Sequence, residues 1–194
     1  MKMNNLYILT EEPSIRNIFE VVLPKILPQN MGFRILIHQG KNDLVKTLTD
    51  KIASLSRIEG AKILITIDQD ANDCRQLKQK LVSILYDNCM CDYKIRIVCK
   101  ELESWFLGDL LAIEKAFPRF NSVLFAKKAK MRNVDTIKGK PSDYLLRIIP
   151  EFMDRKKMPK LEFSKKIAPF LNINNNTSPS FNHTINAIKQ LCGN

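Results

Sequence analysis

The chain has few of the residues that build soft-metal sites or disulfide frameworks. Among its 194 residues there are two histidines and six glycines, and the five cysteines include no CxxC pair. A tetrahedral zinc site needs several closely spaced Cys or His ligands, so we expect reduced thiols rather than zinc ligands. If the protein binds a metal ion, oxygen atoms are the expected ligands.

Long apolar runs are also missing. No segment approaches the ~18 consecutive apolar residues of a membrane-spanning helix, and the first residues lack a signal-peptide pattern. There is no GxxxxGK[ST] motif, so nucleotide hydrolysis by the P-loop route is not expected. With 45% hydrophobic residues the chain can bury a substantial core. We therefore expect a soluble, cytoplasmic protein with no membrane partner.

Positive charge is abundant and unevenly placed. The formal net charge is +11, and residues 119–166 hold 14 basic and 5 acidic side chains, against 16 and 15 in residues 1–118. Such a segment is typical of a polyanion-binding surface, although a solvated basic surface is the alternative. The candidate nucleic-acid-binding residues of this segment are Lys127, Lys128, Lys130, Arg132, Lys156, Lys157 and Lys166.

The first hundred residues alternate between strand and helix patterns. Short β-rich runs occupy residues 6–9, 33–38, 62–67 and 94–99, and helical spacing of apolar residues follows each of the first three. The third run is almost wholly apolar, as expected for a strand buried on both faces. This order predicts an α/β fold with a mostly parallel, Rossmann-like sheet and flanking helices.

After about residue 101 the strand signal fades, and helical fragments interrupted by prolines follow. We interpret residues 1–110 as an α/β core and residues 111–194 as a basic helical C-terminal appendage packed on it. Residues 172–180 have the composition of a loop, and the last helix is expected from about Ser180 to Gly193. Ser14 is the expected N-cap of the first helix.

Acidic residues follow three of the four predicted strands. Functional groups of open α/β sheets collect beyond the carboxyl ends of the strands, where these carboxylates would lie close together. Like charges at such distances repel one another unless cations compensate them, and Mg²⁺ is a cation that carboxylates commonly bind. The acids concerned are Glu11, Glu12, Asp68, Asp70, Glu101 and Glu103.

Simpler roles are open for individual acids. Asp70 is a candidate N-cap of the third helix, Glu11 and Glu12 would favour the dipole of the first helix, and Glu103 would serve equally as a surface acid. It is their joint occurrence at successive strand ends that favours a metal site.

Three motifs carry a family resemblance. They are YILTEE at residues 7–12, ITIDQD at 65–70 and ELESW at 101–105. These resemble the Toprim fold of topoisomerases, primases and the overcoming-lysogenization-defect nucleases. With residues 38–41, 73–75 and 178–181, the chain resembles a family of short Toprim-like proteins catalogued as a domain of unknown function, often encoded beside an ATPase in bacterial defence loci.

The resemblance implies a metal-dependent nuclease site. Its catalytic residues would be Glu11, Asp68, Asp70, Glu103 and Lys165, with Lys166 as the alternative lysine, and Lys41 would contact phosphate. One or two Mg²⁺ or Mn²⁺ ions would be bound by Glu11, Asp68, Asp70 and Glu103, with Glu12, Asp73 and Glu101 as further ligands. The chain departs from the pattern at two positions, where Glu12 replaces a glycine and Ile15 replaces an acid. Whether a second ion binds is therefore left open.

The implied function is hydrolysis of nucleic-acid phosphodiesters, with DNA the favoured substrate, as the effector of an antiviral defence system. Its expected partner is a separately encoded ATPase of the AAA or ABC type. The alternatives are a Toprim RNase that cuts tRNA or other RNA, and a non-catalytic Toprim-like regulatory partner of an ATPase.

Overall fold

A computed structural model describes residues 4–193 and has an α/β architecture. The strands are β1 (Asn4–Thr10), β2 (Met31–Ile37), β3 (Ala61–Asp68) and β4 (Tyr93–Val98). They are connected by the helices α1 (Ser14–Ile26), α2 (Lys41–Leu55) and α3 (Cys74–Asn88). After β4 come α4 (Glu103–Leu107), α5 (Leu110–Ala116), α6 (Ser122–Ala126), α7 (Pro141–Ile148), α8 (Lys160–Ile167) and α9 (Pro179–Cys192), with short 3₁₀ turns at 129–132, 134–136, 150–152 and 168–170.

The four strands form one parallel sheet in the order β2-β1-β3-β4, which confirms the predicted fold class. Strand β1 pairs with both β2 and β3, so it lies in the interior of the sheet. The chain moves from β1 to one side and then crosses to β3 on the other. This order creates a topological switch point between β1 and β3, and ligands of open α/β sheets bind in the crevice at such a point.

Helices cover both faces of the sheet. On one face α2 and α3 pack against Leu9, Ile63 and Ile65. On the other face, α1 and the helices that follow β4 pack against Leu6, Ile8 and Leu64 in a larger apolar cluster. The third strand is therefore buried on both sides, which explains its nearly continuous apolar sequence.

Residues from the second half of the chain share this larger cluster with the first half. Trp105 is fully buried and lies edge-on to Phe19 and Phe181, with ring centroids 6.2 and 5.4 Å away. Prolines begin several of the late elements, as Pro141 does for α7. Backbone N–H groups in the first turn of a helix have no partner within the helix, so the N–H that proline lacks is not needed there. Among residues 4–193, none of the helices has both the length and the apolar character needed to cross a membrane.

Three helix starts differ from the simplest sequence expectation. Helix α1 has Pro13 at its N-cap, and the Ser14 N–H donates to Glu12 Oε1 at 3.1 Å, so Glu12 rather than Ser14 supplies the capping oxygen. Asp73, and not Asp70, caps α3. Ser178 caps α9, one position before the helix begins at Pro179. In each case the oxygen of a nearby polar side chain accepts a hydrogen bond from a backbone N–H group of the first helical turn.

Candidate functional site

The carboxyl edge of the sheet brings together acids that are far apart in the sequence. Glu11 follows β1, Asp68 is the last residue of β3, and Glu103 begins α4 just after β4. Glu11 and Asp68 therefore flank the switch point between β1 and β3. We call Glu11, Glu12, Asp68 and Glu103 the acidic cluster. Like charges so close together raise one another's pKa and require compensation.

Glu11 is fixed by the backbone of the neighbouring strand. Its Oε1 accepts a hydrogen bond from the Asp68 N–H at 2.9 Å, which couples the ends of β1 and β3. Burial raises the pKa of Glu11, although this hydrogen bond and the charge of Lys41 act in the opposite direction. The second carboxylate oxygen, Oε2, has no hydrogen bond to any residue among 4–193.

Asp68 lies deeper, with 6% of its surface exposed. Its Oδ2 accepts a long hydrogen bond of 3.4 Å from the Leu102 N–H, in the loop between β4 and α4. Burial, and next the negative charge of Glu103, raise the pKa of Asp68 well above its ordinary value. A carboxylate held in this way gains greatly from a nearby cation.

Glu103 is the most unusual acid of the cluster. It has 0% exposure, and neither of its carboxylate oxygens has a hydrogen-bond partner among the described residues. Burial raises the pKa of Glu103 to about 7, even though Lys160 opposes this shift. Buried polar atoms are nearly always hydrogen-bonded, so a buried carboxylate without a hydrogen bond at a strand end is typical of a functional group, even though Lys160 lies 3.2 Å from its Oε2.

Two lysines supply positive charge to these acids. Lys160, the first residue of α8, places Nζ 3.2 Å from Glu103 Oε2 and 3.7 Å from Glu12 Oε2. Burial alone would lower the pKa of Lys160, but the carboxylates of Glu103 and Glu12 raise it overall. Lys41, the first residue of α2, donates to the Asp68 carbonyl and to Asp70 Oδ2, both at 2.6 Å.

Asp70 is held at the rim by its backbone. It has φ +53°, and its N–H donates to the Lys100 carbonyl at 2.8 Å, while Lys100 itself has φ +57°. Left-handed conformations cost free energy for residues other than glycine and concentrate at functional sites. The side chain of Asp70 is 52% exposed, so it lies outside the buried part of the cluster.

The sequence profile described as Domain of unknown function (DUF4276) matches residues 10–189. The chain belongs to this family. No curated protein and no solved structure matches it. The acidic cluster and both lysines fall inside the DUF4276 span, so the site is part of the family's domain and not of an added segment.

Other predicted ligands of this DUF4276 chain have structural partners. Glu101 Oε2 accepts hydrogen bonds from the Ser142 N–H at 3.1 Å and the Ser142 hydroxyl at 2.7 Å, and so anchors the start of α7. Asp73 Oδ1 accepts the N–H groups of Arg75 and Gln76, both at 2.9 Å. These two carboxylates already have donors, so their side chains are occupied in holding helices α7 and α3.

The lysine nearest the cluster is not the one that the resemblance indicated. Lys165 and Lys166 lie exposed in the last turn of α8, and Lys166 pairs with Glu162 at 3.1 Å. Lys160 reaches the acids from the opposite end of that helix. Its position depends on how α8 packs on α1, where Asn17 Nδ2 donates to Ser164 Oγ at 2.7 Å. No spacing rule in the sequence encodes that packing.

The remaining candidate basic residues lie on the surface. Lys128 Nζ lies 4.0 Å from the Phe125 ring centroid, and Lys130 Nζ lies 3.9 Å from that of Tyr144. Cation–π contacts of this kind hold the lysine stems against the surface and leave the charge accessible. These remaining candidates are all exposed, namely Lys127, Lys128, Lys130, Arg132, Lys156 and Lys157.

Whether a metal ion fits can be judged from the donors. Within residues 4–193, no three His, Cys, Asp or Glu side chains are grouped closely enough to bind an ion as they stand. The buried oxygens of Glu103 nevertheless lack hydrogen bonds, and all donors of the cluster are carboxylate oxygens, which Mg²⁺ and Mn²⁺ prefer. The amino groups of Lys160 and Lys41 occupy positions between these carboxylates. The donor set therefore has the chemistry of a Mg²⁺ or Mn²⁺ site, with Lys160 Nζ lying among its oxygens in this structure.

Proposed function

We propose that this protein is a divalent-metal-dependent nuclease that hydrolyses nucleic-acid phosphodiesters, with DNA as the favoured substrate. The observation that carries the proposal is the fully buried carboxylate of Glu103, which has no hydrogen bond and lies in the same cluster as the buried Asp68. The ion pair of Glu103 with Lys160 contributes little to stability, because desolvation of two buried charges opposes their attraction. A divalent cation bound by Glu103 and Asp68 would compensate the charge of both carboxylates.

The residues that would hold Mg²⁺ or Mn²⁺ are Asp68 and Glu103, with Glu11 beside them. The ion would supply positive charge that stabilises the charge developing on a phosphodiester during in-line displacement. Asp70, on the rim, is a candidate for a second ion, because its side chain is more than half exposed beside Lys41.

The chain's own groups have separable roles. Glu11 is held through Oε1, and its Oε2 is free to accept a hydrogen bond from a water molecule and orient it. Lys160 and Lys41 carry ammonium groups that can pair with phosphate oxygens at the same edge. No protein nucleophile is required in this scheme, which agrees with the scarcity of histidine in the chain.

The proposed context follows from the Toprim resemblance. There the chain would act as the effector of an antiviral defence system, in the cytoplasm, with a separately encoded ATPase of the AAA or ABC type. An activation step by that ATPase would account for an effector that does not damage its host. The basic surface of residues 119–166 would contact the nucleic-acid backbone.

The test is a cleavage assay with two substrates. The purified protein, with and without the ATPase encoded beside it, is incubated with supercoiled plasmid and with total tRNA in Mg²⁺ or Mn²⁺. We expect nicking or linearisation of the plasmid, loss of activity in EDTA, and strong reduction in Asp70→Ala. Cleavage of tRNA alone would move the assignment to the RNase alternative.

One observation favours a second candidate, a non-catalytic partner of an ATPase. Lys160, beside Glu12 and Glu103, and Lys41, 4.0 Å from Glu11 Oε1, already neutralise part of the cluster without an ion. In that case the acids would serve only to hold α2 and α8 against the sheet. Metal binding separates the two candidates.

We expect Mn²⁺ to raise the melting temperature of the wild type. An ion that binds only the native state at 100 times its dissociation constant stabilises that state by about 2.7 kcal/mol. Differential scanning fluorimetry with and without Mn²⁺ measures this shift, and Asp68→Asn should lose most of it. An equal shift in both proteins would place the ion elsewhere and favour the non-catalytic candidate.

A second prediction compares Lys160 with Lys165, because both lysines lie on α8 and Lys165 can serve as the control. We expect Lys160→Met to lower the cleavage rate by about 100-fold, the order found when one charge-stabilising donor is removed. Lys165→Met, on the exposed last turn of α8, should retain near wild-type activity. If Lys165→Met lost activity and Lys160→Met kept it, the assignment of the lysine would be reversed.

A further inference from the structure

A cleft between α2 and α3 opens beside the acidic cluster. Its volume is about 460 Å³, within the range of cavities that hold small ligands. It lies at the start of both helices, on the face of the sheet opposite to α1 and α8. Lys41 and Asp73 in its lining belong to motifs that suggested a nuclease, but the positions further along the two helices that line it, such as Lys46 and Lys80, do not.

The cleft is lined by cations and amides above an apolar floor. Lys41, Lys46 and Lys80 supply three positive charges, and Asn42, Asn72 and Gln76 supply amide groups. The half-buried side chains of Val45 and Leu77 lie in the same lining. Charged donors beside amides and an apolar surface are suited to a phosphate with its attached sugar and base.

Two of the three lysines in the lining have no acidic partner in the part of the chain that the structure describes, whereas Lys41 pairs with Asp70 at 2.6 Å. The single carboxylate in its lining, Asp73, accepts the N–H groups that begin α3. Among residues 4–193, neither Lys46 nor Lys80 forms an ion pair, and both side chains are exposed. Lys46 and Lys80 therefore present positive charge to solvent that no ion pair within residues 4–193 compensates.

Lys41 joins the cleft to the acidic cluster. The same side chain that lines the cleft donates to the Asp68 carbonyl and to Asp70 Oδ2, and its Nζ lies 4.0 Å from Glu11 Oε1. A strand with one phosphate at the cluster could thus continue directly into the cleft.

We propose that the α2–α3 cleft is a substrate subsite that binds the nucleotide next to the cleaved phosphodiester, with Lys46 and Lys80 on its phosphates. This inference rests on the proposed nuclease function and adds the path that the nucleic-acid strand takes across the protein. Lys46 and Lys80 lie outside the basic segment of residues 119–166, so they define a second contact region on the opposite side of the cluster.

The test measures binding without cleavage. In the Asp68→Asn background with EDTA, the affinity for a fluorescein-labelled single-stranded 20-mer of DNA is measured by anisotropy over a series of salt concentrations. Each phosphate neutralised on a single strand contributes about 0.7 to the slope of log K against log salt. We expect Lys46→Ala/Lys80→Ala to reduce that slope by about 1.4 and to weaken binding.

The matched control is Lys25→Ala/Lys78→Ala, which removes the same charge from exposed positions outside the cleft. It should leave the slope almost unchanged. An equal effect of both double variants, no effect of Lys46→Ala/Lys80→Ala, or no binding at all would overturn the subsite. Failure of the nuclease proposal would show separately, as wild type that binds the 20-mer but cleaves nothing in Mg²⁺ or Mn²⁺.

Discussion

Asp68→Asn is expected to abolish metal-dependent cleavage while the protein remains folded. Asparagine keeps the volume of the side chain but removes the negative charge that would hold the ion. Replacing groups that only support a metal ligand costs about 10–100-fold in activity, so a direct ligand should cost more. The rate of plasmid nicking in Mg²⁺, together with the circular dichroism spectrum, measures both parts of the prediction.

The matched control is Asp109→Asn. Asp109 is buried to the same degree as Asp68, at 6% exposure, but its carboxylate accepts the N–H groups of Ala112 at 3.0 Å and Asn172 at 2.7 Å. Asp109→Asn should therefore lower stability and retain cleavage by the folded fraction, the reverse of Asp68→Asn. Undiminished nicking by Asp68→Asn would remove Asp68 from the site.

Glu103→Gln is expected to stabilise the metal-free protein at alkaline pH. The pKa of Glu103 is raised from an ordinary value of 4.5 to about 7, so its protonated form is favoured in the native state. The stability contributed by that proton is fully present below pH ~4.5 and is lost as the pH rises through about 7. At about 1.4 kcal/mol for each pH unit, ionisation costs the wild type about 3 kcal/mol at pH 8.

Urea unfolding in EDTA measures this difference. Glu103→Gln, which cannot ionise, should exceed wild type by about 3 kcal/mol at pH 8 and by less than about 1 kcal/mol at pH 5. Glu101→Gln is the control, because Glu101 is buried but hydrogen-bonded to Ser142, and its replacement should destabilise at both pH values. A stability gain that does not depend on pH would mean that Glu103 is not the titrating group.

The sheet and the position of three acids of the site can be predicted from local patterns in the sequence. Apolar runs identify strands buried on both faces, and parallel strands bring their carboxyl ends to one edge. That is enough to place Glu11, Asp68 and Glu103 near one another from the sequence alone. The strand order, and with it the switch point between β1 and β3, came only from the structure.

The rest of the site depends on packing between distant segments. Glu101 and Asp73 follow strands just as the clustered acids do. Their carboxylate oxygens, however, accept hydrogen bonds from Ser142 and from the N–H groups that begin α3. Lys160 lies 57 residues after Glu103. It reaches the cluster because Phe163, in the same helix, stacks on Phe117 at 4.9 Å and fixes α8. Contacts at this separation leave no local pattern in the sequence.

The most direct measurement is anomalous diffraction from crystals of the protein soaked in Mn²⁺. We expect a peak at the carboxyl edge of the sheet, with the carboxylates of Asp68 and Glu103 as ligands and with Lys160 displaced from Glu103. The contradicting result is a map with no peak at this edge and with Lys160 Nζ still about 3.2 Å from Glu103 Oε2. In that case the lysine, and not a metal ion, is the resident cation of the acidic cluster.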